Sequence, residues 1–184
     1  MDKFTLYSEE AALLIIDIQE KMLPVMDHGE QVVAKTISLI KIAEKLEMPI
    51  ILIEMYPKGL GKTVPEVMEH LQQIPRFEKI HFSACCEPPL TEYLQKLGRR
   101  KLIVTGMETH VCVLQTVRSL LELGYQVFLV GDAVSSRTKH NYRNALALMH
   151  DMGAVITNTE TVFFDLMKKA GTPVFKELSA KYIK

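Results

Sequence analysis

The chain has 184 residues, enough for one well-buried core and short for two, so a single domain over residues 1–184 is expected. Its 48% hydrophobic and 24% charged residues exclude a disordered chain. Lys and Arg number 22 and so do Asp and Glu, which leaves none of the basic excess that draws a protein to nucleic acid.

The longest apolar run, Ala11 to Ile16, is far too short to span a bilayer, and Met1-Asp2-Lys3 does not open a signal peptide. No membrane partner is expected. Cys85, Cys86 and Cys112 make an odd count with two neighbours adjacent, a poor disulfide framework that points to a reducing, cytoplasmic setting. There is no CxxC pair and no His/Cys cluster at ligand spacing, so neither a metal nor another cofactor is expected.

From end to end, short β-branched runs alternate with helical patterns. The first strand is read at Ala12 to Asp17, where Leu13-Leu14-Ile15-Ile16 delivers the Asp17 carboxylate to the end of a buried strand. No glycine follows until Gly29, which excludes a dinucleotide-binding turn. A helix at Gln31 to Glu47 leads to a second strand at Ile50 to Glu54. The irregular stretch Met55 to Lys62 has the composition of a lid or pocket wall. Its end, Gly61-Lys62-Thr63, imitates a phosphate loop, but the first glycine of that motif would fall on Tyr56, so ATP binding is excluded.

A helix is read at Val64 to Gln73 and a short strand near Lys79 to Phe82, followed by a helix at Leu90 to Leu97 and a strand at Lys101 to Gly106. Gly106-Met107-Glu108-Thr109-His110-Val111-Cys112 then opens a helix read at Val111 to Leu123. A cysteine in a first helical turn meets the positive end of the helix dipole, which favours thiolate and suits a nucleophile. The competing reading is an inert cysteine packed as a small hydrophobe. Strands at Gln126 to Val130 and Ala154 to Thr157 bracket a helix at Lys139 to Met152, and a last helix is read at Thr161 to Lys169. Gly98, Gly124, Gly153 and Gly171 stand where helix C-caps favour a left-handed residue.

This is a βαβ pattern, and it predicts an α/β fold: a Rossmann-like, three-layer αβα sandwich on a six-stranded, mainly parallel sheet. In the common order 3-2-1-4-5-6 the first and fourth strands are neighbours at the topological switch point. Asp17 and the Gly106 to Cys112 turn then face one crevice. Lys79 alone reads as a solvated lysine; beside a carboxylate and a thiol it has a role, since its fixed charge stabilises both anions.

The chain resembles the isochorismatase-like cysteine hydrolases, in particular their small single-domain members. The resemblance rests on Leu13-Leu14-Ile15-Ile16-Asp17-Ile18-Gln19, on Lys79 ahead of Phe82-Ser83, on Gly106 to Val113, and on Val130-Gly131-Asp132-Ala133-Val134-Ser135-Ser136-Arg137. It implies a catalytic triad of Asp17, Lys79 and Cys112, in which Asp17 takes the thiol proton and the thiolate attacks an sp² carbon, most often an amide carbonyl. It also implies an oxyanion hole from the backbone N–H groups of Glu108 and Cys112, and a cis peptide at Met107-Glu108.

The departures bear on the substrate. Nicotinamidases of the family hold a metal through an Asp-x-His pair after the second strand, where this chain has Glu54-Met55-Tyr56, so nicotinamidase activity is not expected. Isochorismatases proper have a small residue at the position of Cys112 and cleave a vinyl ether. The expectation is therefore a cysteine hydrolase of a small amide-like (C–N) substrate, working through a thioester acyl-enzyme. Its pocket is expected to be walled by Leu23, Tyr56, Phe82, Glu108 and His110, with His110 as a substrate contact. The alternative on the same fold is a thiol redox or electrophile sensor, or a non-catalytic scaffold. The expected partners are a small molecule and further copies of the chain, as a dimer or larger homo-oligomer.

Overall fold

The computed structural model describes residues 2–183; Met1, where the amino-terminal reading begins, and Lys184 lie outside them. Six strands, β1 (Ala11–Ile16), β2 (Ile50–Met55), β3 (Arg76–Lys79), β4 (Lys101–Met107), β5 (Gln126–Ser135) and β6 (Val155–Thr157), form one sheet in the order β3-β2-β1-β4-β5-β6. Every neighbouring pair is parallel. Among the described residues eight α-helices connect or follow them: α1 (Gly29–Lys45), α2 (Pro57–Leu60), α3 (Pro65–Met68), α4 (Pro88–Leu97), α5 (Leu114–Glu122), α6 (Lys139–Asp151), α7 (Thr159–Met167) and α8 (Pro173–Tyr182). Among the described residues no helix is long and apolar enough to cross a membrane.

The central strand shows why the layers form. Every residue of β1 is buried, and its side chains divide strictly by parity. Ala11, Leu13 and Ile15 pack into a core with α1, α7 and α8; Ala12, Leu14 and Ile16 pack into a second core with α4, α5 and α6. A strand wetted on one face would alternate polar and apolar residues. This one is apolar throughout because helices cover both faces.

Several elements differ from the sequence reading. The third strand runs Arg76–Lys79, not Lys79 to Phe82: Ile80 and Phe82 imitate a strand but are 70% and 52% exposed, and Lys79 becomes the strand's last residue. The helix read at Val64 to Gln73 keeps α-geometry only over Pro65–Met68, after which i to i+3 bonds from His70 and Leu71 carry the chain toward Pro75. The helix read at Val111 to Leu123 is a π-helical turn, Thr109–Val113, followed by α5. The fifth strand does not stop at Val130; past an irregularity opposite Val104 to Gly106 it resumes, pairing Val134 with Gly106 and Ser135 with Met107. Gly171 does not cap α7, since Lys168 takes the left-handed position at φ 55°. The helix α8 was missed, although Thr172 caps it through Phe175 N–H and Pro173 stands in its first turn.

The close approach of β1 and β4 fixes the site. Ile16 lies beside Gly106, whose φ is 137°, and a Cβ at that position would collide with the Ile16 carbonyl oxygen, one residue before Asp17. Gly106→Ala is therefore expected to lower the unfolding free energy by about 3 kcal/mol or more, read by urea denaturation. A loss within 0.5 kcal/mol, roughly that of an ordinary surface substitution, would contradict this packing.

Candidate active site

The sheet order brings three chemistry-bearing side chains to one end of the sheet. Asp17 follows β1 directly in the left-handed conformation, φ 53°, with its N–H bonded to Ile53 O at 3.0 Å. Lys79 ends β3, two strands away. Its side chain crosses the end of β2, where Nζ contacts Met55 Sδ at 3.5 Å, and reaches Asp17 Oδ2 at 2.7 Å. Both side chains are 1% exposed. From the β4 side, the Thr109–Val113 turn carries Cys112, 5% exposed.

The carboxylate keeps one oxygen open. Oδ2 is engaged by Lys79, while Oδ1 is buried without a hydrogen-bond partner. The Cys112 thiol acts on this carboxylate and favours its ionised form. Burial pushes the Asp17 carboxyl up to about 6, against the opposing pull of the Lys79 charge. Burial, then the negative Asp17, pushes the Cys112 thiol up to about 12. This runs against the expectation of a helix-start thiolate: Cys112 lies ahead of α5 in a π-helical turn, where burial and the Asp17 charge raise the thiol and the Lys79 charge lowers it. Burial thus favours the neutral form of each group, and the Lys79 charge opposes it on both.

The turn itself is tightly held. The Met107–Glu108 peptide is cis, and Glu108 O accepts from the N–H groups of Val111 and Val113 at 3.1 and 3.2 Å. Below it, Thr105 bonds to Thr36 at 2.7 Å and donates to Ala133 O, tying β4 to α1 and β5. The Glu108 carboxylate turns to Arg137, accepting from Nε at 3.0 Å and from the backbone N–H at 3.3 Å. His110 has both ring nitrogens engaged, Nδ1 with Ser136 Oγ at 2.9 Å and Nε2 with Asn141 Nδ2 at 3.3 Å.

The expected wall residues are not gathered around one space. Leu23 borders a cavity of about 600 Å³ with Met26 and His28. Tyr56 borders a different one of about 400 Å³ with Pro57, Glu78, Lys79 and Ile80. Phe82 is half exposed beyond β3. Glu54, which stands where the nicotinamidase pattern was sought in the sequence, is bound by the N–H and hydroxyl of Thr63 at 2.6 and 2.7 Å. Among the described residues no group of three or more His, Cys, Asp and Glu side chains could hold a metal.

Gln19 is a site residue to which the sequence reading gave no role. Fully buried, it accepts from Met55 N–H at 2.7 Å and donates to Met55 O at 3.0 Å and Gly61 O at 2.6 Å. It thus clamps the end of β2, over which Lys79 passes, to the segment that follows Asp17. A polar amide two residues beyond a buried strand was the available signal.

Three comparisons with known proteins bear on the chain. A family model described as the isochorismatase domain matches residues 11–161. Isochorismatase family protein 1A of Dictyostelium discoideum is 40% identical over 170 residues, covering 90% of this chain and 82% of that protein. Among solved structures, MAR1 ribonuclease of Caenorhabditis elegans superposes with a TM-score of 0.91 at 37% identity, covering 98% of this chain and 93% of that one. YcaC of Pseudomonas aeruginosa, solved with hexane-2,5-diol and covalent acrylamide, superposes with a TM-score of 0.91 at 26% identity, covering 97% and 92%.

Removing one member of the buried ion pair strands the other. Lys79→Met is expected to lower the unfolding free energy by about 3 to 5 kcal/mol at neutral pH, and Lys79→Met with Asp17→Asn to lose clearly less than the sum of the two single changes. A double-mutant cycle in urea reads this; additive losses would contradict the pairing.

Proposed function

The chain belongs to the isochorismatase family, and from that premise we propose that it is a cysteine-dependent hydrolase of small amide-like substrates, with Asp17, Lys79 and Cys112 as its catalytic set. The observation that carries the reading is the buried Lys79–Asp17 ion pair at 2.7 Å, with the Cys112 thiol acting on the same carboxylate. Cys112 gives its proton to Asp17, and the sulfur forms a bond to the amide carbonyl carbon. The backbone N–H groups of Glu108 and Cys112 receive the developing oxyanion. Collapse of the tetrahedral species breaks the C–N bond, and the amine leaves with the proton from Asp17. Water then adds to the thioester, releasing the carboxylic acid and restoring the thiol.

Lys79 holds the charge through these steps. Its ammonium lies against Asp17 and also acts on Cys112, where it favours the thiolate. YcaC of Pseudomonas aeruginosa was solved with covalent acrylamide, which requires a nucleophilic side chain on that relative. The buried Asp17 carboxylate and Lys79 ammonium beside Cys112 supply a proton acceptor and a counter-charge that hydrolysis uses and a redox or electrophile sensor does not need, and this favours the hydrolase. The reading extends to a single catalytic domain acting on a small molecule in the cytoplasm.

Intact-mass screening against a small amide library tests the assignment. The expected result is an acyl adduct of one per chain that maps to Cys112, and turnover at least about 10³-fold lower in Cys112→Ala with the fold retained. Turnover retained in that variant, or cleavage of RNA in place of any amide, would overturn it.

The pH dependence follows from the carboxylate. Below about 6 Asp17 is protonated and cannot accept the thiol proton, so kcat/KM is expected to fall tenfold per unit on the acid side of an apparent pKa near that value. With the thiol at about 12, Cys112 produces no alkaline limb near neutrality. An acid limb at the ordinary carboxylate position, near 4, would contradict the burial argument.

A further inference from the structure

One edge of the sheet is β3, paired with β2 alone. Pro75 O accepts from Leu52 N–H at 3.0 Å and Lys79 O from Tyr56 N–H at 2.8 Å, so the backbone groups of residues 75, 77 and 79 face β2. Strand alternation turns those of Arg76 and Glu78 outward. Both residues are exposed, and neither forms an ion pair with a described residue. Ile80 N–H is taken by Glu87 Oε1 at 3.2 Å, which closes the open edge after Glu78.

We propose that this edge docks a second copy of the chain, whose own β3 pairs antiparallel to it across a two-fold axis at Phe77. Three registers let outward-facing groups meet outward-facing groups along this short edge. With the axis at Arg76, each arginine faces its own mate. With the axis at Glu78, the glutamates do. Only the axis at Phe77 sets Arg76 opposite Glu78 of the second copy and Glu78 opposite its Arg76, each pair exchanging both backbone hydrogen bonds. The same register brings Ile80, 70% exposed, opposite Ile74 of the second copy.

This pattern fits an identical partner better than a guarded edge. Short length, prolines and charges of one sign guard an edge; β3 is short and follows Pro75, but its two outward-facing charges are of opposite sign. Opposite charges two residues apart around an apolar centre are self-complementary, as an isologous two-fold contact requires. The contact would also brace β3, which ends in Lys79.

Charge reversal tests the register. In sedimentation velocity the unchanged chain is expected to self-associate, and Arg76→Glu or Glu78→Arg alone to weaken association on the order of tenfold or more. Two outcomes are specific to the Phe77 axis: the double variant recovers association, and an equimolar mixture of the two single variants forms mixed pairs in which both contacts are again Arg opposite Glu. A monomeric unchanged chain at micromolar concentration would overturn the proposal. So would single variants that associate as the unchanged chain does, or a double variant and mixture that stay dissociated.

Discussion

A lysine ammonium and an aspartate carboxylate meet at 2.7 Å, both side chains almost fully removed from water, and the architecture around them has to make that arrangement tolerable. Burying each charge costs several kcal/mol, which only close, well-held geometry offsets. Three adjacent strands supply it. The carboxylate leaves the end of β1, the ammonium leaves the end of β3, and Met55 at the end of β2 lies between them under the clamp of Gln19. On the other side Gly106 lets β4 approach β1 closely enough for the Cys112 turn to reach the same point.

The electrostatics of the thiol follow from this placement and not from its own helix. A cysteine at a helix start in water would lose its proton more readily; buried beside an ionised carboxylate, this one holds it more tightly. Under the proposed mechanism that is an asset. The nucleophile is formed only by transfer to Asp17, so a substrate-free site keeps an unreactive thiol, and Lys79 favours the charged form on either atom as the proton moves.

Much of this was legible in the chain, for identifiable reasons. The all-apolar run of β1 marks a doubly covered strand, and Asp17 at its end is conspicuous for that reason. The βαβ pattern gives a parallel sheet, and the commonest strand order for such a sheet places Asp17 against the Gly106 turn. Lys79 was not legible from its own surroundings, where it reads as a solvated lysine; the carboxylate, the thiol and the resemblance singled it out. The protonation state of Cys112 was misread because desolvation is a property of the assembled crevice. The limits of β3 and β5 were misread because exposed Ile80 and Phe82 imitate strand alternation and Gly131-Asp132 imitates a strand end, while pairing with β2 and β4 decides where the strands run.

The central claim is that the resting site holds a thiol and a carboxylate, with the thiolate formed only on the way to the acyl-enzyme. Thiolate absorbance of the unchanged protein minus that of Cys112→Ala, followed as pH rises, isolates this one sulfur from Cys85 and Cys86. The account predicts no thiolate band at neutral pH and its appearance only toward the thiol's raised value of about 12. A full band already present at pH 7, roughly the value at which reactive low-pKa cysteines are ionised, would contradict it.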